Sequence, residues 1–488
     1  MASGDNNFSI TLDKFHVGLS PLAFQNSLTE YGSGGHASVM QNVDVVNGEY
    51  VTQGAGLANL TNGTQAGYVT ELIQFIMDKA VSDNLTYAIG TSKLFSLSSS
   101  AVISDGAFPH TITGCTDGES IQLLKGKLFY FYNKASGGDI GTFNLATTFD
   151  DDWGSTVPTG ATALENAIHP SDKKEDIIVF GNGRYAGTYI NETTTLNTTK
   201  LDFGQDATVS DVLYNAGFWY LAVNSGISSG TNRTEGQIYL YDGAAIVSTL
   251  TDEAGVGMQK IGFLYRVNGV VYVAYQDLSS TGFIIGYLNG RSISPLARFT
   301  GTLPTFAQKT LYKNTILFLS SGSVYAAGAI VPELPFHLSQ IADGGYATVG
   351  AIAAPFGTPI ISSTDGSSNF RLAKFSGYDT SSAWKSIVFE VGAGKYKAMI
   401  DEIIVMTKTL GASARCDMKI EANQGVDIQT TAKQITTTGK RRHYFNNFGM
   451  TPGGIEDFRI ALDWSNGSAT NDCAIRKIII NGHFIQSV

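Results

Sequence analysis

Two glycine-containing motifs of this chain could, in another setting, support catalysis or nucleotide binding. Gly226–Gly230 (GISSG) matches the pattern that presents a nucleophilic serine, and Gly181–Ala186 (GNGRYA) follows an apolar strand as a dinucleotide-binding loop does. Both chemistries need a helix directly after the loop, because the helix orients the serine or holds the pyrophosphate at its N-terminus. Polar loop residues follow the first motif and a strand pattern follows the second. We therefore expect a flexible loop and a hairpin turn.

Acidic side chains form three short clusters that could act as metal ligands or as acid–base pairs. The clusters are Asp150–Asp152, Asp401-Glu402 and Glu456-Asp457. Consecutive residues of a strand point to opposite faces of a sheet, so adjacent carboxylates do not converge on one site. A calcium ion at Asp150–Asp152 stays open as an alternative, although no EF-hand spacing accompanies it. The sequence predicts solvated turns and strands here, with no catalytic residue, metal site or cofactor.

A basic cluster in the C-terminal part of the chain could contact a partner. It consists of Lys440, Arg441 and Arg442 on a predicted strand. Such a cluster can bind an acidic neighbour or a phosphate, or it can stay solvated and block edge-to-edge pairing of strands. We expect the solvated edge and keep the interface as the alternative.

Three tryptophans provide a second hypothesis, since an exposed indole ring can pack against the face of a sugar. The glycan platform would consist of Trp153, Trp384 and Trp464. Sugar-cleaving propellers of the sialidase type repeat an S-x-D-x-G-x-x-W turn, whereas Ser363–Gly366 matches only its start and occurs once. The sequence therefore does not favour a sugar-degrading enzyme.

A short sequence motif, which we call the aromatic phrase, occurs seven times and predicts the strands that carry these residues. In each case a short strand bordered by small or polar residues carries an aromatic ring, and successive rings are separated by about 40 to 50 residues. The rings belong to Phe95, Phe143, Tyr189, Tyr239, Tyr287, Tyr325 and Phe375. An apolar strand such as KLFYFY or VVYVAY precedes the ring in most repeats. Units of this length with several short strands are typical of β-propeller blades.

The repeat predicts an all-β chain with three parts. Residues 69–393 would form a β-propeller of about seven blades, with six to eight left open. Residues 1–68 would form an extended N-terminal arm with a hairpin at Asn47-Gly48, and residues 394–488 an antiparallel β-sandwich of jelly-roll type. The stretch Val69–Val81 also fits helical spacing, but its place before the first hairpin favours a strand.

Composition limits the classes of partner. Only 15% of residues are charged, against about 25% in typical domains, and 55 glycines suit many tight turns. From Gly394 onward 12 basic and 9 acidic residues give a net charge of +3, while the preceding 393 residues carry 20 basic and 33 acidic residues. That acidic body argues against a surface that grips nucleic acid. Three cysteines form no disulfide framework, and we expect neither a signal peptide nor membrane insertion.

The layout resembles virion structural proteins of tailed bacteriophages, in particular the propeller-bearing tail or nozzle proteins of short-tailed phages. The resemblance rests on the order of arm, propeller and sandwich, and on the arm phrase formed by Asn42, Val43, Asp44, Gly48 and Gly54. It covers nearly the whole chain in organisation, but the chain shows no separate platform domain of the kind that nozzle proteins often carry.

The resemblance implies a non-enzymatic building block of a tail nozzle, hub or tail tip. It would form a ring of identical copies, contact other tail proteins and be assembled in the host cytoplasm. An acidic lumen would let DNA pass without sequence-specific binding. The alternatives are a receptor- or polysaccharide-binding tail protein that holds host glycan and, less favoured, a capsule-degrading enzyme.

Overall fold

The computed structural model describes an all-β chain with one short helix, α1 (Trp153–Thr156). The described residues are 7–13, 15, 26–27, 37–41, 43–45, 50–62, 68–104, 107–160, 162–226, 234–252, 258–277, 282–290, 292–328, 337–343, 348–365, 367–390, 396–423, 427–428, 431–445 and 455–486. Within these ranges no helix has the length and hydropathy that a bilayer crossing requires.

Short strands occupy the N-terminal segment. They are β1 (Asn7–Leu12), β2 (Asn26–Ser27), β3 (Ala37–Gln41), β4 (Val43–Asp44), β5 (Thr52–Gln53), β6 (Ala55–Asn59), β7 (Thr61–Asn62) and β8 (Tyr68–Val69). Strands β4 and β5 pair antiparallel, as expected for the predicted hairpin. Its turn, Asn47-Gly48, lies outside the described residues.

Seven groups of consecutive antiparallel strands follow, and we call them sheets 1 to 7. Sheets 4 and 5 are joined by a parallel pairing of Thr251 and Asp252 with Ser292 and Ile293 and by a bridge between Gly236 and Met258. Sheets 1 to 4 contain β9 (Ile73–Ile76), β10 (Thr86–Gly90), β11 (Lys93–Leu97), β12 (Ala101–Ile103) and β13 (His110–Thr111); β14 (Cys115–Leu124), β15 (Lys127–Lys134), β16 (Gly137–Phe143) and β17 (Phe149–Asp150); β18 (Ser171–Lys174), β19 (Ile177–Asn182), β20 (Tyr185–Ile190) and β21 (Thr195–Asp202); and β22 (Ala207–Asn215), β23 (Phe218–Gly226), β24 (Thr234–Tyr241) and β25 (Ile246–Asp252). Sheets 5 to 7 contain β26 (Met258–Val267), β27 (Val270–Asp277), β28 (Phe283–Asn289) and β29 (Ser292–Phe299); β30 (Lys309–Tyr312), β31 (Thr315–Ser320), β32 (Ser323–Gly328) and β33 (His337–Asp343); and β34 (Thr348–Ala353), β35 (Ile360–Thr364) and β36 (Phe370–Tyr378).

The repeated aromatic phrase lies on the third strand of every sheet. Phe95 is in β11, Tyr189 in β20 and Phe375 in β36, and the other four rings occupy equivalent strands. The apolar stretches that precede the phrase are the second strands, which are buried on both faces between neighbouring sheets. The repeat thus corresponds to one sheet per phrase, and the strand preference of Val69–Val81 is confirmed by β8 and β9.

Tight two-residue turns join the first and second strands of several sheets. Lys125-Gly126, Ala216-Gly217 and Asn268-Gly269 all have positive φ angles at both positions, as a type I′ turn requires. Glycine at the second position accepts this conformation without a Cβ penalty. These turns fix the register of each hairpin. The register in turn decides which side chains of the first strand lie on each face of the sheet.

The first strands of the seven sheets form a closed circle. Each of β9, β14, β18, β22, β26, β30 and β34 contacts the next, and β34 contacts β9. We call the seven sheets, joined in this circle by their first strands, the ring. Three glycines allow the closest approaches, because a Cβ at Gly118, Gly262 or Gly350 would collide with a backbone oxygen of the neighbouring sheet, that of Gly90, Pro304 or Ile73 respectively.

Asparagine side chains connect adjacent sheets near the ends of the second strands. Asn224 of β23 donates to Ile261 O at 2.9 Å and accepts from Ile261 N at 2.7 Å, so one amide satisfies both backbone groups of the next sheet. Asn133 of β15 does the same for Ala167, at 3.0 and 3.2 Å. We call each of these asparagine contacts a clamp. A clamp supplies the hydrogen-bond partners that a neighbouring strand would supply within a sheet.

An N-terminal strand completes the seventh sheet. Strand β6 pairs antiparallel with β36, with Leu57 opposite Phe375 and Ala58 opposite Lys374. Strand β7 adds to sheet 1 by a parallel pairing with β12. The N-terminal segment therefore supplies strands to the ring from before residue 69, where the sequence analysis placed the start of the propeller.

The remaining strands form two further sheets. They are β37 (Ala383–Ser386), β38 (Phe389–Glu390), β39 (Tyr396–Thr407), β40 (Cys416–Ala422), β41 (Asp427–Ile428), β42 (Lys433–Ile435), β43 (Gly439–Tyr444), β44 (Asp457–Asp463) and β45 (Ile475–Gln486). One sheet has the order β1-β45-β39-β43, and the other has β2-β38-β44-β37-β3 with β40 beside β44. We call the pair the two-sheet unit.

The two-sheet unit has a single hydrophobic core to which both sheets contribute. Its members include Ile403, Val405, Ile478 and Ile480 from one sheet and Met418, Ile420, Ile460 and Leu462 from the other. Strands β37 and β38 belong to this unit although they precede residue 394, and β1, β2 and β3 belong to it although they lie in the predicted arm. Pairing between distant segments, which leaves no local trace in the sequence, places these strands there.

Candidate functional site

A cavity of about 710 Å³ lies on the axis of the ring, at the N-terminal ends of the first strands. All seven sheets or the segments leading into them contribute to it, so the ring must be closed for the cavity to exist. Its lining includes Leu72, Gln74, Asp117, Glu119, Ile168, Asp206, Thr208, Ser210, Asn224, Lys260, Leu303, Phe306 and Gly350. We call it the axial cavity, and its volume is in the range of small-molecule sites.

Glu119 is the most enclosed acidic group of the axial cavity. Its side chain is 8% exposed and accepts a hydrogen bond from Asn133 Nδ2 at 2.9 Å. Burial raises the pKa of Glu119 to about 8, and the nearby Asp117 carboxylate adds to the rise. At neutral pH the group is therefore largely a neutral carboxylic acid, which can both donate and accept a hydrogen bond.

Several polar groups of the axial cavity are not used by the surrounding protein. The side chains of Gln74, Asp117, Thr208 and Lys260 line the cavity and make no hydrogen bond to another described side chain or backbone group. Asn224, in contrast, is fully used by its clamp to Ile261. The cavity wall thus offers an amide, a carboxylate, a hydroxyl and an ammonium group to a ligand or to water.

A buried ion pair lies further along the ring axis. Lys309 of β30 donates to the carboxylate of Asp211 in β22 and to Leu264 O, the latter at 2.6 Å. Asp211 also accepts from Leu264 N at 2.6 Å. The pair thereby links the first strands of sheets 4, 5 and 6. Charges this deeply buried are stable only when paired and hydrogen bonded, and these groups meet both conditions.

Asp78 connects further sheets beyond the first strand of sheet 1. It accepts from Tyr265 Oη at 3.0 Å, from Thr310 Oγ1 at 2.5 Å and from Ala354 N at 3.0 Å. These donors belong to sheets 5 and 6 and to the segment that follows the first strand of sheet 7. The carboxylate therefore has a positioning role in the ring.

The basic cluster lies where the sequence suggested, on an edge strand. Lys440, Arg441 and Arg442 are exposed on β43, which pairs with β39 and ends its sheet among the described strands. Arg442 contacts Glu402 at 3.2 Å, and the nearby Tyr444 is 57% exposed. Both the solvated edge and an interface fit this geometry, so the interface stays a prediction.

The predicted tryptophan platform needs correction, because all three rings are buried. Trp384 and Trp464 are fully enclosed in the core of the two-sheet unit, and Trp153 is 3% exposed. The Trp153 ring packs edge-on against Phe129 and Tyr189 between sheets 2 and 3. None of these rings presents a face to a glycan, since neighbouring sheets cover them.

The acidic clusters are engaged by protein partners. Asp151 accepts from His110, Tyr130 and Thr113, and although burial alone would raise its pKa, the hydrogen bonds from His110 and Tyr130 hold the pKa below its ordinary value. Asp152 pairs with Lys134 at 2.6 Å. Among the residues that the structure describes, no three His, Cys, Asp or Glu side chains are grouped as metal ligands.

The other acidic pairs and the glycine motifs follow strand geometry. Asp401 contacts His483 at 3.0 Å, whereas its neighbour Glu402 accepts from Asn481 at 2.9 Å. Gly181–Ala186 spans the hairpin between β19 and β20, with Gly183 at φ 58°. Gly226 ends β23, and the remainder of GISSG lies outside the described residues.

The axial cavity escaped the sequence analysis because its residues lie on first strands without an apolar pattern. Asp117, Thr208 and Lys260 alternate with buried residues and with glycine. A usable signal does exist, since each of these residues lies ten residues before the first residue of the apolar second strand of its own repeat. Aligning the repeats on their second strands would have collected them.

No protein family model and no curated protein matches this chain. Solved structures of similar architecture include the Pan2 WD40 domain of Neurospora crassa, with 11% identity, a TM-score of 0.44 and coverage of 67% of this chain and 96% of that one. The CNH domain of AfRom2 has 11% identity, a TM-score of 0.42 and coverage of 66% and 100%. An exo-β-1,3-galactanase from Phanerochaete chrysosporium has 9% identity, a TM-score of 0.32 and coverage of 66% and 97%. None of these similarities indicates a ligand or an activity for this chain.

Proposed function

We propose that this chain is a non-enzymatic structural component of a bacteriophage tail. In this proposal the ring is a seven-bladed β-propeller and the two-sheet unit is a β-sandwich of jelly-roll type. Copies of the chain form a nozzle, hub or tail-tip ring in the virion after assembly in the host cytoplasm. They contact one another and other tail proteins, and take part in genome passage or host attachment.

The observation that carries the proposal is the separation of charge between the two parts of the chain. The part from residue 394 has a net charge of +3 and exposes Lys440 and Arg441 on an edge strand, whereas the preceding 393 residues hold 13 more acidic than basic residues. Such a distribution favours a head-to-tail contact between the basic edge of one copy and an acidic surface of the next. Head-to-tail contacts that close generate rings.

The N-terminal segment supports a structural role as well. Strand β1 pairs with β45 in the two-sheet unit, and β6 pairs with β36 in the ring. The same segment is thereby fixed to both parts of the chain, and the ion pair between Lys313 and Asp44 at 3.3 Å adds a link between them. A building block of a tail has to transmit force without coming apart, and shared strands suit that task.

The test combines composition of particles with assembly of the purified chain. Mass spectrometry of purified virions should find the chain at a fixed multiple per particle. Light scattering should show an oligomer at low salt that weakens at high salt, because screened charges contribute less. The double variant K440E/R441E should lower the oligomer fraction, while K200E, a charge reversal at an exposed site on β21, should not. A monomer that is absent from particles would refute the proposal.

A further inference from the structure

The axial cavity has no role in the proposed assembly, yet it has the properties of a binding site. It measures about 710 Å³ and is enclosed by segments from all seven sheets. A ligand the size of a disaccharide would occupy a fraction of that volume, within the usual range for small-molecule sites. The ring is rigidly cross-linked around the cavity by the Asn224 and Asn133 clamps, so its shape is preformed.

Three polar side chains in the lining of the axial cavity have unused hydrogen-bonding capacity. Gln74, Asp117 and Thr208 form no side-chain hydrogen bond within the part of the chain that the structure describes, although they come from three different sheets. Together they provide an amide with donors and an acceptor, a carboxylate acceptor and a hydroxyl of both kinds. A ligand with several hydroxyl groups would match this mixture, because each hydroxyl can donate and accept.

The axial cavity also has an apolar part of its lining. Phe306 and Leu303 lie on the segment before β30, and Ile168 precedes β18. Phe306 is held in place by Phe75, with ring centroids 6.1 Å apart. Aromatic and aliphatic surfaces pack against the C–H faces of sugar rings, while the hydroxyl groups reach the polar wall.

The charge of the axial cavity excludes one group of ligands. Its ionisable side chains are Asp117, Glu119, Asp206 and Lys260, three acidic groups against one basic group. Even with Glu119 protonated the acidic groups outnumber the single ammonium group. Phosphorylated or carboxylated ligands would therefore meet net repulsion.

We propose that the axial cavity binds an uncharged mono- or oligosaccharide. Gln74, Asp117 and Thr208 would hold the hydroxyl groups, and Phe306 would pack against the ring face. The site does not involve the buried tryptophans, and it does not depend on the assembly proposed above. Binding by the chain in isolation would therefore be observed whether or not copies of the chain form a ring.

The experiment uses the full chain with three uncharged disaccharides, lactose, cellobiose and chitobiose, as probes. Saturation-transfer NMR followed by calorimetry should detect at least one of them with a Kd of about 1 mM or tighter. D117N and Q74A should each weaken that affinity about tenfold, since D117N replaces a charged acceptor with a weaker neutral one and Q74A removes the amide and its hydrogen bonds to the ligand. D83N, at an exposed turn between β9 and β10, is the matched control and should bind as the wild type does.

Two charged probes decide between ligand classes. Sialyllactose carries a carboxylate and should bind at least about tenfold more weakly than lactose. The diamine putrescine is attracted by the acidic lining but cannot use the hydroxyl contacts, so it should bind more weakly than the disaccharide. The proposal is overturned if none of the three disaccharides binds at 10 mM, an upper limit on the order of the weakest specific affinities. It is also overturned if putrescine or sialyllactose binds in preference, or if D117N and Q74A both bind like D83N. Circular dichroism of each variant verifies folding, and Q74A keeps the test valid should D117N fail to fold.

Discussion

Replacing Asn224 with alanine should loosen the contact between sheets 4 and 5 without unfolding either sheet. The amide of Asn224 is 8% exposed and makes two hydrogen bonds to Ile261, of 2.9 Å through Nδ2 and 2.7 Å through Oδ1. Alanine removes both bonds and leaves the N–H and the C=O of Ile261 without their partner. Among the described residues no other side chain hydrogen bonds to the backbone of Ile261, so water from the axial cavity must replace the asparagine.

The magnitude follows from the cost of such unpaired groups. Each buried backbone group left without a partner costs about 1–3 kcal/mol, and access to water from the cavity places the sum near the lower end, at about 2 kcal/mol. A local opening made easier by about 2 kcal/mol raises amide exchange in the affected strand about 30-fold. The increase should be confined to β26 and its partner strands.

Hydrogen exchange followed by mass spectrometry measures this directly. The peptide that covers 258–267 should exchange about 30-fold faster in N224A, while a peptide that covers β31 should change little. N289A is the matched control, because Asn289 is exposed at the end of β28. Unchanged exchange in 258–267, or the same increase in N289A, would refute the idea that the asparagine clamp holds the sheets together.

Three further changes have defined outcomes. G262A should lower the free energy of unfolding by about 1–3 kcal/mol, and with it the melting temperature, because the new Cβ meets a backbone oxygen of Pro304. G226A should leave both unchanged, because a Cβ has room at that position. Since the native pKa of Glu119 is about 8 against an ordinary 4.5, the folded state holds a proton that the unfolded state releases between these values. Wild-type stability should therefore fall relative to E119Q as pH rises from 5 to 8, and parallel melting curves would contradict this. The three free cysteines are Cys115, Cys416 and Cys473, and burial raises the pKa of each thiol. Ellman's reagent should therefore label none of them in the native protein at pH 7.5 and all three after denaturation.

The sequence was sufficient to predict an all-β chain of repeating sheets, about seven in number with six to eight left open. The aromatic phrase marks third strands and the apolar runs mark second strands, because both are buried between neighbouring sheets and show it in their composition. Apart from β9, the first strands were not predicted. Their residues face the axial cavity or approach a neighbouring backbone, and polar residues and glycines such as Asp117 and Gly118 therefore replace the apolar pattern.

The domain limits and the tryptophan platform could not be predicted for a related reason. Strand β37 pairs with β3 and β44, segments that are distant in the chain, and no local pattern distinguishes it from a strand of the ring. The sequence does not show that the opposite sheet of the two-sheet unit covers Trp384 and buries its ring. The basic edge strand, in contrast, has a local signature, since a run of three cations suits an exposed edge.

The completion of sheet 7 by the N-terminal strand β6 is the feature on which the account of the fold depends, and an engineered disulfide tests it most directly. Ala58 and Lys374 are opposite each other in the pairing of β6 with β36. In A58C/K374C, mild oxidation should form an internal disulfide that increases mobility on a non-reducing gel, because it closes a loop of several hundred residues. A58C/K385C, whose second site lies in the two-sheet unit, should not cross-link. Equal cross-linking of both pairs, or none in A58C/K374C, would contradict the pairing of β6 with β36.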